Sequence, residues 1–388
     1  MDFTTNDTHE QIREGIRDLC KRFPDEYWAE HDESHEFPWD FYNAMAAGGW
    51  MGITIPEEFG GGGLGVTEAA IVEREIAASG AGMGGCSAVH IGIFGFEPII
   101  NHGSDAMKKK YLPRVVSGEL HTSFAVTEPD AGTDTTNITT FAKKVDGGFL
   151  VSGKKVWITK AQEAERMLIL CRTSPRESHD KRTAGMTLLF AEMDHDKVQI
   201  RPIPKMGRNA VDTNELFIDE LFVADADVVG EVGHGFRTIL GGLNAERVIS
   251  ANAAWGIGQA ALRRGVRYAQ ERVVFGRPIG QNQGIAFQLA EAQVRLDAAA
   301  AVLDKAAWMV DQGLPCGREA NAAKFLCAEA GFYAADVALQ VHGGFGYGKE
   351  FHVERYFREA RLMRIAPISQ EMVLNYVAEH VLGLPRSY

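Results

Sequence analysis

The sequence predicts an α+β protein built as three successive parts: helical, then β, then helical. Three patterns carry this: apolar residues three and four apart before about residue 120, short alternating runs from about 122 to 231, and long alanine-rich stretches after about 233. A chain of 388 residues can bury a large core, and two or three domains are expected. The divisions fall at 1–121, 122–232 and 233–388.

In the first part, residues 9–22 and 66–79 have the spacing of amphipathic helices, with weaker helical pattern over 42–49 and 107–117. Glycine clusters at 60–63 and 82–85 read as breaks. In the second part, residues 139–145 lead through Asp146-Gly147-Gly148 into Phe149, a hairpin signal. Further strands are expected at 155–159, 167–171, 186–190, 198–201 and 215–218. So many short strands without helices between them suggest a small antiparallel barrel or sandwich. In the third part, 246–270 and 285–310 are apolar on more than one face, as helices buried in a bundle are.

Composition removes several function classes. A net charge of −12 argues against nucleic-acid binding, and the one basic run, Lys108 to Lys110, reads as a solvated helix turn. No apolar run long enough for a membrane span is seen, and the acidic, polar start does not resemble a signal or transit peptide. The five scattered cysteines, none with CxxC spacing, indicate neither a disulfide framework nor a zinc site. The expectation is a cytoplasmic protein with no metal site and no membrane partner. Gly60-Gly-Gly-Gly-Leu-Gly65 fits the GxGxxG pattern, but Pro56-Glu57-Glu58 stands where a strand should end, so a loop is expected.

Residues 124–134, FAVTEPDAGTD, resemble the flavin-edge signature of the acyl-CoA dehydrogenases. Three further stretches agree in order and spacing: Gly153–Thr159, Glu271–Gly276 and Gln340–Tyr347. The resemblance runs from the first helix to the last. It implies an N-terminal helical domain, a middle antiparallel β-barrel and a C-terminal four-helix bundle, with FAD held noncovalently. By position, Phe124, Val126, Thr127 and Thr133 would line the flavin, Trp157 would stack on it, and Ile158 and Thr159 would lie near N5. Arg272, Phe275, Gln340, Gly343 and Gly344 would meet the adenosine diphosphate portion, some of them from a neighbouring subunit, and Gln283 would be a further cofactor contact. That implies a homo-oligomer, usually a dimer of dimers. Ser369 and Glu371 fall at further flavin contacts. On their own residue types these positions read first as ordinary roles, a core tryptophan, a glycine turn or a surface arginine, and only their joint agreement with the family pattern reverses that.

The activity implied is α,β-desaturation of an acyl-CoA thioester, with electrons passed to an electron-transferring flavoprotein. Two alternatives keep the fold: an oxygen-using acyl-CoA or nitroalkane-type oxidase, and a catalytically silent flavin-binding subunit. Pro367 stands where relatives often keep the glutamate that removes the α-proton. A minority, including isovaleryl-CoA dehydrogenases, carry that base on a bundle helix, in a motif similar to Leu243-Asn244-Ala245-Glu246-Arg247. Glu246 is therefore the expected base, Glu371 the alternative. Without the resemblance, Glu246 reads as a first-turn acid in a helix capped by Asn244. Arg247 matches a family arginine near CoA; Asn244 replaces a frequent Asp, and with Thr133 these are the expected substrate contacts. Lys160 and Asp130 depart from the family pattern, and Lys160 is expected to be solvated.

Overall fold

The computed structural model describes residues 6–387. Its first part is helical: α1 (Asp7–Cys20), α2 (Asp25–Ser34), α3 (Trp39–Ala47), α4 (Val66–Ile76), α5 (Gly82–Ile93), α6 (Glu97–His102) and α7 (Asp105–Val116). In α1 the side chain of Asn6 accepts from the Thr8 N–H, and Ile12, Ile16 and Cys20 form the buried stripe. Lys109 and Lys110 lie exposed on α7, as the basic run suggested. Gly60 to Gly65 forms a loop between a short 3-10 turn and α4, with no strand before it.

The glycines at 82–85 stand at a break, as expected: Gly82, at φ 58°, closes the turn after α4, and the glycines that follow it form the start of α5. A Cβ on Gly85 would come within 2.6 Å of the Ala81 Cβ and 2.9 Å of the Ile76 side chain. Glycine is required there by close packing, which overrides its low helix propensity. A π-helical turn, Ala77–Ala81, joins α4 to α5 with Gly80 at φ 111°. Residues 66–102 are long and apolar enough to cross a membrane by length and composition alone, but this turn interrupts them and 61% of the window is buried in the fold.

The second part comprises β1 (Thr122–Ala125), β2 (Phe141–Val145), β3 (Gly148–Thr159), β4 (Arg166–Arg172), β5 (Met186–Glu192), β6 (Val198–Pro202), β7 (Thr213–Ala224) and β8 (Val228–Val229). They form one sheet ordered β6-β7-β3-β2-β4-β5-β8, with β1 beside β4. The β2–β3 hairpin is the expected one, Val145 opposite Gly148 across Asp146-Gly147. Two expected strands merge into the single long β3. Pairing is antiparallel except that β1 runs parallel to β4, and β2 meets β4 in parallel at Phe141 and Arg172. β4 is buried along its whole length because the sheet is covered on both faces. Met167, Ile169 and Cys171 face one apolar layer; Leu168 and Leu170 face another formed with Ile99, Met107 and Leu112.

The third part is α8 (Gly235–Leu240), α9 (Leu243–Glu271), the small hairpin β9 (Val273–Val274) and β10 (Arg277–Pro278), then α10 (Gln283–Asp311), α11 (Gly317–His342), α12 (Val353–Leu362) and α13 (Gln370–Tyr376). The long helices α9, α10 and α11 pack together, with α12 and α13 completing the bundle. Small residues let α9 and α11 approach: a Cβ on Gly331 would sit 2.3 Å from the Ala254 carbonyl oxygen. Asp25 of α2 ties the first part to the bundle, accepting from Arg355 Nη2 at 2.9 Å and from the Tyr356 hydroxyl, and pairing with Arg264.

Candidate active site

The turn that follows β1 is held from below by a buried ion pair. Lys155, on β3, donates to Glu128 Oε1 at 2.9 Å, to the Val126 carbonyl at 2.9 Å and to the Leu170 carbonyl at 2.7 Å. All three ammonium donors are used. Glu128 also accepts from the Thr139 N–H at 2.6 Å and the Thr140 N–H at 3.0 Å. Burial alone would raise the Glu128 carboxyl, but Lys155 and these donors hold it below its usual range. The pair fixes residues 126–128 against β3, while Phe124 and Thr133 remain exposed and Val126 and Thr127 half-buried. Asp130 is exposed, and nothing in the structure explains it. This support was missed by the motif reading, although both residues stand inside the quoted motifs.

At the end of β3 the ladder with β7 shifts register between Lys155 and Ile158. Trp157 in this bulge has φ 63°, unusual for a bulky residue, and its indole is 57% exposed. Ile158 is buried, and the Thr159 hydroxyl accepts from Arg208 Nη2 at 3.2 Å. Arg208 also donates to the Ser87 hydroxyl at 3.1 Å, so the strand end is fastened to α5.

Lys160 corrects the expectation of a solvated charge. It has φ 60°, is 2% exposed, and turns its ammonium over the rings of Tyr42 at 4.2 Å and Phe37 at 5.1 Å. Burial lowers its pKa to about 7. Between that value and the unfolded lysine's, the unfolded chain binds more protons, so stability contributed by this site rises with pH. We expect Lys160→Met to flatten the rise in urea midpoint between pH 7 and 9 relative to the parent; parallel profiles would contradict the burial argument.

The remaining expected flavin contacts lie on the bundle. Phe275 sits at the tip of the β9–β10 hairpin, φ 51°, 100% exposed. Arg272 lies at the base of that hairpin with its guanidinium 5.7 Å from the Phe345 ring, which follows Gly343 and Gly344. A Cβ on either glycine would meet nothing within 4 Å. Gln283 and Gln340 are exposed at the start of α10 and the end of α11. Among the described residues, no hydrogen bond joins this group to residues 124–159. Ser369 caps α13, accepting from the Met372 N–H at 3.4 Å, and Glu371 is exposed on its first turn. Pro367 is exposed; it has no N–H, and the Ala366 N–H is bonded to the Leu362 carbonyl at 2.9 Å.

Glu246 lies in the first turn of α9, its side chain half-buried. Asn244 does not cap that helix; Gly242 holds the cap position, and Asn244 Oδ1 instead accepts from Arg247 Nη1 at 2.8 Å. Arg247 Nε is buried with no acceptor among the described residues. Lys324 stands between this turn and α13: its ammonium donates to the Met363 carbonyl at 2.6 Å and lies in the field of both Glu371 and Arg247. Both oxygens of Glu246 are 3.0 Å from His90 Nε2, and His90 belongs to α5. One helix therefore touches the end of β3 through Ser87 and Glu246 through His90. His90 stands in no motif and in no predicted helix, so no local pattern pointed to it.

Three family models together match most of the chain: acyl-CoA dehydrogenase N-terminal domain over 6–119, middle domain over 123–221 and C-terminal domain over 233–382. The chain belongs to the acyl-CoA dehydrogenase family. Members of this family are FAD-dependent oxidoreductases, and so is this protein. It is 34% identical to acyl-CoA dehydrogenase FadE12 of Mycobacterium tuberculosis over 100% of this chain and 99% of that one. It is similar to a glutaryl-CoA dehydrogenase solved with glutaryl-CoA, at TM-score 0.92 and 29% identity over 100% of this chain and 98% of that one. The FAD complex of PigA is a further neighbour, at TM-score 0.92 and 25% identity over 99% and 100% of the two chains. The surfaces this dehydrogenase-family chain leaves open fit a flat aromatic cofactor: an outward indole at Trp157, bare backbone at Gly343-Gly344 and an uncovered ring at Phe275.

Proposed function

We propose that this protein α,β-desaturates a CoA thioester, with Glu246 removing the proton from Cα and an electron-transferring flavoprotein receiving the electrons. The observation that carries the reading is the partly exposed Glu246 carboxylate on α9, beside an arginine with an unused buried donor, in a chain whose position 367 is proline. Bound FAD supplies the acceptor for the β-hydrogen, leaving as hydride. Phe124, Val126, Thr127, Thr133, Trp157, Ile158 and Thr159 would hold its ring system, with Ser369 and Glu371 nearby. Arg272, Phe275, Gln283, Gln340, Gly343 and Gly344 would hold its far end.

The chain's own task is the proton. A carboxylate with a free lone pair on each oxygen takes the α-proton onto Oε, and stabilisation of the enolate-like state needs donors at the thioester oxygen. Pro367 cannot be such a donor, and Ala366 is already engaged. Arg247 and Asn244 would hold the CoA side; the support is their position beside Glu246 and the buried Arg247 Nε that has no acceptor among the described residues.

The same reading makes the protein a cytoplasmic homo-oligomer, a dimer of dimers, divided into parts at 121/122 and 232/233. The exposed hairpin tip supports assembly: among the described residues nothing covers Phe275, and a second copy would do so together with the flavin it helps hold. Phe275→Ala should therefore lower the FAD retained per subunit on gel filtration while the unfolding temperature of the apoprotein stays within a degree or two. Full FAD retention would detach the hairpin from the cofactor site. For the reaction itself, the test is anaerobic titration of the holoenzyme with straight, branched and cyclic acyl-CoAs. At least one should bleach the flavin band; a yellow protein that none bleaches contradicts the reading.

A further inference from the structure

The imidazole of His90 lies between two carboxylates. Its Nε2 is 3.0 Å from each oxygen of Glu246, and its Nδ1 is 3.3 Å from Oε1 of Glu73. Glu73 comes from α4 and is 1% exposed. Other charged groups packed along α5 are engaged elsewhere: Lys160 with the Ala88 carbonyl, Arg208 with the Ser87 hydroxyl and Glu359 with the Met83 N–H. A singly protonated imidazole can donate to only one of the two carboxylates and would turn a lone pair on the other. The doubly protonated ring donates to both. Burial opposes that charge, but Glu246 and Glu73 outweigh it and raise the His90 pKa well above its ordinary value. The pairing thus stabilises the fold fully below the unfolded histidine's range, and its contribution is lost as pH rises through the folded value.

The geometry points to His90 as a positioning residue for the base: an imidazolium clasping both oxygens of Glu246, braced from behind by Glu73. A glutamate in the first turn of a helix has three rotatable bonds, and the Glu246 side chain is about a quarter exposed, with His90 as the hydrogen-bond partner of its carboxylate among the described residues. The clasp orients the carboxylate and leaves a lone pair on each oxygen for the α-proton. The role rests on the reading of Glu246 as base.

The test compares holoenzymes of the parent, His90→Gln, Glu73→Gln and Glu246→Gln by FAD content, KM, and kcat across pH. His90→Gln keeps an amide donor but no charge. It should retain FAD and KM and lose roughly 10–100-fold in kcat, the scale expected of a misaligned reacting group. Glu73→Gln should lose less, in the same direction. The parent's activity should decline at alkaline pH as His90 gives up its second proton, and His90→Gln should lack that decline. A parent-like kcat and alkaline limb in His90→Gln, with Glu246→Gln inactive, overturns the positioning role and leaves the base in place. An active Glu246→Gln overturns the base assignment itself. If His90→Gln does not fold, a parent-like kcat and alkaline limb in Glu73→Gln overturns the positioning role.

Discussion

Glu246→Gln should give a folded, yellow protein whose turnover is lower by roughly 10²–10⁴-fold. Glutamine has the same shape, and the helix turn that carries it is held by the backbone bond from the residue 246 N–H to the Gly242 carbonyl at 2.9 Å, which the change leaves alone. The amide cannot accept the α-proton as a carboxylate does, so the loss falls on kcat while substrate binding persists. Glu371→Gln should remain active, because that carboxylate is exposed on α13 and no longer needed for the proton. Steady-state kinetics with flavin content measured on the same samples decides the matter. Near-parental turnover in Glu246→Gln would refute the assignment.

The second large effect is expected at Lys155. Lys155→Met removes the cation that Glu128 faces at 2.9 Å and leaves a carboxylate that is 4% exposed. Breaking a buried pair from one side destabilises by about 3–5 kcal/mol, because the remaining charge stays desolvated. The Val126 and Leu170 carbonyls lose their donor as well. Since this pair sets residues 126–128 against β3, the variant should also shed FAD. Lys155→Met with Glu128→Gln should recover part of the stability, because no uncompensated charge remains. Denaturant midpoints and FAD content of the single and double variants give both readouts, and a single variant as stable as the parent would show that the pair is dispensable.

The order of helical, β and helical parts was legible because period and segment length differ sharply between them. The hairpin at Asp146-Gly147 was legible from turn chemistry, and the buried strand β4 from its unbroken apolar run. Three features were not. Gly82 to Gly85 marked a break, but that Gly85 already belongs to the next helix, with glycine required by the contact with Ala81 and Ile76, was not visible. Lys160 looked like a surface charge, since sequence cannot show that a positive φ after β3 turns it between Tyr42 and Phe37. Asn244 looked like a cap, but α9 starts at Leu243 with Gly242 at the cap position, and the Asn244 side chain accepts from Arg247 instead. Motif positions singled out Trp157, Thr159 and Glu246; Lys155 stands in the same strand and motif, but its burial and its pairing with Glu128 are not legible there, and Arg208 and His90 come from other elements and carry no local signal.

The reading stands on one helix-borne carboxylate meeting the carbon beside the thioester carbonyl. Its most direct test is exchange of the α-hydrogens of a bound acyl-CoA analogue that cannot lose its β-hydrogen, followed by mass spectrometry in heavy water. Deuterium should enter with the parent and with Glu371→Gln, and should not enter with Glu246→Gln. Exchange at the parental rate in Glu246→Gln, or its loss in Glu371→Gln, would place the base elsewhere.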